Sequence, residues 1–501
     1  MERGTVVRRF LLEITRTPIG LVGTAITTAT AILFFTLFGV EGLGYKGGPY
    51  LGIITFLVLP GFFVLGLALI PLGIAMERRR ARRAAARGEA PAAFPVIDLN
   101  SDHTRRLALL FLALTLVNVV ILSLATYKGV EVMDTVGFCG RTCHSVMDPE
   151  YTTYQKSPHS RVQCVSCHIG PGAGWFVKSK LSGSWQMVAV TFNLYPRPIP
   201  TPVESLRPAR ETCEQCHWPT KFVGDRLKVL THYADDEKNT EKKTVLLVRV
   251  GGLQGRKSQG IHWHVDPSIR IRYLADKSRE NISAVELQRA DGTIDTFRAE
   301  GAGEVKSEGG ARPEGGAKPE SGAKPGGVAK AEGGGEWRTM DCVDCHNRPT
   351  HIYRMPEDEI DRSILAGRID RSLPFIRREA LKALKVDYPS QDAARAGIVS
   401  AIQGFYRQNY AELASSMAPA IQAAAADLTT IYCTNVFPSM NIKWGTYPNH
   451  IGHQYSAGCF RCHDDGHKTS DGRTITQDCS TCHTPLAMDE ENPEILKQLQ
   501  P

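Results

Sequence analysis

Residues 459–483 read CFRCHDDGHKTSDGRTITQDCSTCH and hold the pattern Cys-x-x-Cys-His twice within 25 residues, at Cys459, Cys462 and His463 and at Cys479, Cys482 and His483. Working back along the chain, the pattern recurs at Cys342, Cys345 and His346, at Cys213, Cys216 and His217, and at Cys164, Cys167 and His168. Random placement of 13 cysteines in 501 residues yields about 0.01 such matches, so five copies are a chemical signature. Two thiols at this spacing form thioethers to the vinyl groups of haem, and the adjacent imidazole reaches the iron as its proximal ligand. Zinc ribbons share the Cys-x-x-Cys pair but need no histidine fixed after it, and a disulfide framework needs none at all.

An altered copy, FCGRTCHSVM, occupies residues 138–147. Three residues separate Cys139 from Cys143, His144 follows directly, and Met147 stands three positions further on. Its place ahead of five regular copies makes it the expected first site, for a total of six covalently bound haem c groups. His144 and Met147 are both candidate iron ligands there, and a methionine would raise the potential relative to a second histidine. Cys433, in IYCTNVFP, has no partner and no following histidine and reads as a buried structural thiol.

Residues 17–40, 47–76 and 107–127 contain no charged residue and are rich in Leu, Ile, Val, Phe and Ala. Each is long enough to cross a bilayer as a helix, with spans at about 17–40, 50–76 and 107–127. Arg3, Arg8, Arg9 and Arg16 precede the first, and Arg78, Arg79, Arg80, Arg82, Arg83 and Arg87 follow the second. The positive-inside rule then makes the N-terminus and the 77–106 loop cytoplasmic and puts everything after about residue 128 in the periplasm of an inner-membrane protein. Beside a membrane span the run ERRRARRAAAR is a topology signal, so no nucleic-acid partner is expected. None of the three spans contains a histidine, so electrons are not expected to cross the membrane through this chain.

The expected architecture is mostly α: a membrane domain at 1–128 with three transmembrane helices, then a multihaem c-type region with a small β-rich insertion. Residues 129–241 carry the first three motifs. Residues 242–299 read as β-rich, with TVLLVRV and SIRIRYLA as strands and ADGT as a turn. Residues 300–336 repeat Gly, Ala, Pro, Lys and Glu without apolar periodicity and read as a disordered linker. Residues 337–501 read as helical around the last three motifs, with patterns such as AARAGIVSAIQGFYRQNYAELASS. Such a region is expected to lack a large conventional core, the haem faces supplying much of the apolar surface.

Of 15 histidines, six are proximal: His144, His168, His217, His346, His463 and His483. Candidate second ligands are His159, His262, His264, His351, His453 and His467, and supplying most irons with two strong ligands favours electron transfer over substrate binding. In GIHWHV, His262 and His264 are expected on one face of a strand. His351, five residues after His346, suits a neighbouring iron.

The order of a membrane helix, a first haem motif followed by a methionine, SPH at 157–159, a second motif and GPGAGWFVKSK at 170–180 resembles the NapC/NirT/NrfH family of membrane-bound quinol dehydrogenases. Most of the chain is similar to the larger inner-membrane cytochromes of that family in metal-reducing bacteria. The resemblance implies that menaquinol docks at the membrane surface beside the first haem and that its electrons pass to periplasmic cytochromes or reductases. It also implies Met147 as a first-haem ligand, with Lys178 or Lys180 and an acidic residue, Asp148 or Glu150, nearby. The family pattern has two residues between the cysteines and one between His and Met, whereas this chain has three and two.

Quinol oxidation needs an oxidant, a proton acceptor and an apolar place for the ring and tail. Lys178, Lys180 and Asp148 are the candidate catalytic residues; interfacial lysines beside Trp175 and Phe176 also suit anchoring to lipid headgroups. The expected function is a quinol:cytochrome oxidoreductase drawing on the membrane quinol pool. The alternatives are a terminal reductase with one open haem and an electron-relay subunit of a larger complex.

Overall fold

The computed structural model describes residues 17–42, 58–88, 134–142, 144–170, 188–203, 208–218, 221–251, 260–301 and 335–499, with scattered positions at 100–132 and 181–206. Along it run α1 (Pro18–Gly42), α2 (Leu59–Ala86), a π-helical turn at Phe138–Thr142, α3 (His144–Gln155), and the short helices α4 (Cys164–His168) and α5 (Ala209–Cys213). Strands β1 (Asp225–Tyr233) and β2 (Glu241–Arg249) precede a 3-10 turn at Ile261–Val265. Then come β3 (Arg270–Ala275), β4 (Ile282–Gln288), β5 (Ile294–Arg298) and β6 (Glu336–Thr339). Helices α6 (Cys342–Cys345), α7 (Pro356–Leu365), α8 (Ile376–Leu384), α9 (Gln391–Asn409), α10 (Ala411–Ser416) and α11 (Ala418–Asn435) follow, and β7 (His483–Glu490) and α12 (Glu494–Gln498) close the order. Two compact units result, residues 1–142 with 163–188, and residues 143–162 with 189–501.

In the first unit α1 packs on α2 through small residues. A Cβ on Gly23 would come within 2.8 Å of the Gly66 carbonyl oxygen, and one on Gly73 within 2.7 Å of the Gly20 nitrogen. Close backbone approach of this kind drives helix association where lipid removes the hydrophobic drive. Thr24, Thr27, Thr30 and Thr36 donate their hydroxyls to the carbonyls of Gly20, Gly23, Ile26 and Ile32. Their polar atoms are thereby satisfied within the helix, as a hydrocarbon environment requires. Among the described residues, one helix is long and apolar enough to span a membrane, Leu59–Glu77, and Pro18–Phe34 is a shorter apolar helix. The first expected span falls in α1 and the second in α2, which continues as helix through the arginine run; residues 107–127 lie almost wholly outside the described residues.

The second unit holds two antiparallel sheets, ordered β1-β2-β7 and β5-β4-β3-β6. Val245 sits at the centre of the first, opposite Val229 on one side and Ala487 on the other. The expected β-rich insertion at 242–299 is therefore not self-contained. The first sheet takes β1 and β7 from outside it and the second takes β6 from just before the fourth motif. Residues 302–334 of the expected linker lie outside the described residues.

The expectation of no large conventional core is overturned. Ile360, Ile364, Leu373, Ile376, Leu384, Ile398, Ile402, Tyr406 and Leu428 form a buried cluster between α7, α8, α9 and α11. The i, i+4 repeat Ala394, Ile398, Ile402, Tyr406 gives α9 an apolar stripe, and burial of each large side chain contributes about 1.5–3 kcal/mol. Ser390 caps α9 by accepting from the Ala393 amide at 3.1 Å. Asn239, fully buried at the β1–β2 turn, donates to the carbonyls of Arg371 and Leu373 and accepts from the Arg377 amide, which ties the hairpin to this helical core. Cys433 packs partly buried on the core, and burial pushes its thiol up.

Candidate haem sites

Each strict motif is wound into a single short helical turn, closed by its own backbone. His217 donates its amide to the Cys213 carbonyl at 2.7 Å, His346 to Cys342 at 2.8 Å and His463 to Cys459 at 3.1 Å. The turn gathers two thiols and an imidazole on one side, which is the donor set covalent haem needs.

Four motif histidines each face a second histidine from elsewhere in the fold. Ring centroids of His159 and His217 lie 6.0 Å apart, of His262 and His346 6.3 Å, of His264 and His463 5.8 Å, and of His453 and His483 6.2 Å. Two imidazoles on opposite sides of one metal ion, each bonded at about 2 Å, put their centroids roughly 6 Å apart. Direct stacking is shorter: His453 against Phe460 and His262 against Phe222 are both at 4.3 Å. The pairs thus fit an iron between them, each joining a motif histidine to a candidate second ligand.

The tautomers agree. Nδ1 of His159 faces the Pro349 carbonyl at 3.1 Å, of His262 the Val250 carbonyl at 2.8 Å, of His264 the Ile261 carbonyl at 2.7 Å, and of His463 the Thr476 carbonyl at 2.9 Å. A carbonyl can only accept, so each Nδ1 carries the proton and Nε2 keeps the lone pair a metal takes. Burial also depresses His264, His346 and His483 below the usual histidine range, favouring the neutral, ligating form.

The strand expected for GIHWHV is a 3-10 turn, Ile261–Val265. At three residues per turn, positions two apart point to different sides, and His262 and His264 accordingly face different motif histidines, His346 and His463. His351 offers the same tautomer, with Nδ1 at 2.9 Å from the Glu150 carbonyl and 3.1 Å from its carboxylate. His467 departs from expectation. It is buried, with Nδ1 at 2.9 Å from Asp464 and Nε2 at 3.1 Å from the Ile282 carbonyl, so both nitrogens are committed to the protein as a tie to β4.

The motifs also adjoin one another. Within the first unit the Cys139 thiol hydrogen-bonds Cys164, and this holds the Cys164 thiol down at about 7. Within the second, Cys213 hydrogen-bonds Cys342, Cys345 neighbours Cys459, and Cys459 neighbours Cys482. Burial pushes Cys345 up to about 11 and Cys462 up to about 12. A small cleft opens among Cys345, Cys459, Cys462, Cys482, His264 and His463.

At the altered motif, Phe138–Thr142 forms one π-helical turn and α3 starts at His144. A π turn spans one residue more than an α turn, and one residue is what this motif has in excess. Met147 is half-buried on α3, and Asp148 is exposed. Cys143, the side chain of His144, Lys178 and Lys180 lie outside the described residues.

The family description "NapC/NirT cytochrome c family, N-terminal region" matches residues 101–197. The "Cytochrome c-type protein ImcH" of Geobacter sulfurreducens is 41% identical over 480 residues, covering 95% of this chain and 89% of the relative. The chain belongs to the NapC/NirT-type cytochromes c. No solved structure matches it. Membership carries covalently bound haem c and a role in electron transfer.

Sequence reasoning weighed Glu150 only as an acidic residue near the first motif and passed over Asp344 in this NapC/NirT-type cytochrome. Glu150 is half-buried with Arg348 at 3.7 Å, and Arg348 lies 3.7 Å over the Tyr447 ring, so the carboxylate that holds His351 is itself held. Asp344, inside the fourth motif, accepts from Tyr273 at 2.6 Å and from Arg338 at 3.0 Å, while its carbonyl accepts from Arg461 of the fifth motif at 2.6 Å. The spacing Asp341-x-x-Asp344 in DCVDCH was the available signal, a capping box.

Proposed function

We propose that this cytochrome is a six-haem quinol:cytochrome oxidoreductase of the bacterial inner membrane, taking electrons from menaquinol at the periplasmic face and delivering them to periplasmic cytochromes or reductases. The observation that carries the electron-transfer reading is the set of four histidine pairs at 5.8–6.3 Å. When bound, haem supplies one-electron chemistry between ferric and ferrous iron. The pairs His159 with His217, His262 with His346, His264 with His463, and His453 with His483 would each hold a haem iron from two sides when it is bound, and would leave no place on it for a substrate. That arrangement favours relay over terminal reduction. The remaining sites use His168, and His144 with Met147, and His351 is kept as a second ligand by Glu150.

Menaquinol gives up two electrons and two protons on becoming menaquinone. Lys178, Lys180 and Asp148 are proposed to receive the protons at the membrane surface, where the first motif follows the third apolar segment by about 11 residues. The test is a haem count on purified protein, followed by reduction with a menaquinol analogue. Six haems per chain, all low-spin, with slower reduction in Lys178→Ala and Lys180→Ala, are expected. A high-spin signal that changes with nitrite or a sulfur oxyanion favours the reductase reading, and five haems exclude the altered motif.

A further inference from the structure

Helix α5 carries the third motif and begins without a cap of its own. Its N-cap residue is Pro208, which has no hydrogen-bonding side chain, so the first amides of the helix need an acceptor from elsewhere. That acceptor comes from more than a hundred residues away. Asp341 Oδ2 accepts from the Ala209 amide at 2.8 Å and from the Arg210 amide at 3.4 Å. Its other oxygen accepts from the Cys342 amide at 2.7 Å, and its own amide donates to Asp344 at 2.6 Å. One carboxylate therefore starts the helix of the third motif and the helix of the fourth at once. The two first cysteines, Cys213 and Cys342, meet with their thiols hydrogen-bonded.

No short stretch of chain holds these motifs together: residues 300–336 and strands β1 to β6 intervene. We infer that Asp341 is a positioning residue that fixes the third and fourth haem sites against each other for electron transfer. The inference rests on the reading that Cys213 and Cys342 each hold haem. A carboxylate suits the task because a charged acceptor can serve amides from two directions, with stronger bonds than a neutral one.

Asp341→Asn separates the two jobs. Asparagine is a good N-cap and retains one acceptor oxygen. Its amide nitrogen cannot accept, so it serves α6 or α5 but not both. Pro208→Ser supplies α5 with a local cap without restoring the tie. The experiment compares full-length, haem-loaded wild type, Asp341→Asn and the double variant Asp341→Asn/Pro208→Ser. It reads haem-peptide masses, magnetic coupling between low-spin haems by EPR, and intramolecular electron transfer after photoreduction.

In Asp341→Asn, haem content and low-spin character are expected to be unchanged, with coupling between the third and fourth haems weakened. A displacement on the ångström scale is expected to slow transfer several-fold. The double variant should recover thermal stability but not coupling or rate. Wild-type coupling and rate in Asp341→Asn, or their recovery in the double variant, overturn the proposal and leave only a local cap. A wild-type protein lacking haem on Cys213 or Cys342 overturns it together with the reading it rests on, and the peptide masses tell the cases apart.

Discussion

His264 and His467 are both buried histidines in the second unit, yet their surroundings assign them opposite work. His264 commits Nδ1 to the Ile261 carbonyl and its ring lies 5.8 Å from that of His463, whereas His467 commits both nitrogens. His264→Ala is therefore expected to convert one haem from low-spin to high-spin by EPR. His467→Ala should leave every haem low-spin while lowering stability by about 1–3 kcal/mol, because the Ile282 carbonyl and Asp464 lose their partner. A changed haem spectrum in the His467 variant would sink this assignment. Proximal ligands were legible in the sequence because covalent attachment requires contiguous residues. Second ligands were legible only as a pool, since which histidine meets which motif is decided by packing across the chain. His467 could not be told from the others without the acceptors on either side of it.

Elements show the same division. The strands TVLLVRV and SIRIRYLA and the helical periodicity of α9 were readable from side-chain spacing alone. GIHWHV was misread because alternation over five residues fits a strand and a 3-10 turn equally well, and Gly260 and Asp266 bound it too closely for an extended run. The fourth edge of one sheet and the third strand of the other were invisible because they pair across more than sixty and more than two hundred residues. In the first unit, the contact of α1 with α2 depends on bare backbone at Gly23 and Gly66. Gly66→Leu is expected to lower thermal stability in detergent by about 1–3 kcal/mol through overpacking. Gly61→Leu, where a Cβ meets nothing within 4 Å, should match wild type, and equal loss in both would remove the glycine contact from the account.

Across the whole molecule, charge pairs tie distant segments together, and one of them sets a pH response. Asp295 on β5 is held below the usual carboxylate range by hydrogen bonds from Arg473, with Arg289 also at 2.6 Å. A carboxyl with a lowered folded pKa stabilises fully above its unfolded value of about 4 and loses that contribution as pH falls through the folded value. Asp295→Asn should thus be less stable than wild type to denaturant at pH 7, and the gap should close as the pH falls through the folded value of Asp295. A gap that is constant with pH would mean the carboxylate's charge does not contribute.

The sheet β5-β4-β3-β6 has a final consequence. The segment from 299 to 335 leaves one edge of this sheet and returns to the other, a crossing of about 15 Å over three strand spacings. Far fewer residues than it contains would bridge that gap. Register along β3, where Leu274 faces Trp337 and Arg272 faces Thr339, fixes where the chain re-enters, and Cys342 follows three residues later. The address of the fourth motif is in this way set by a strand register and not by a count of residues along the chain.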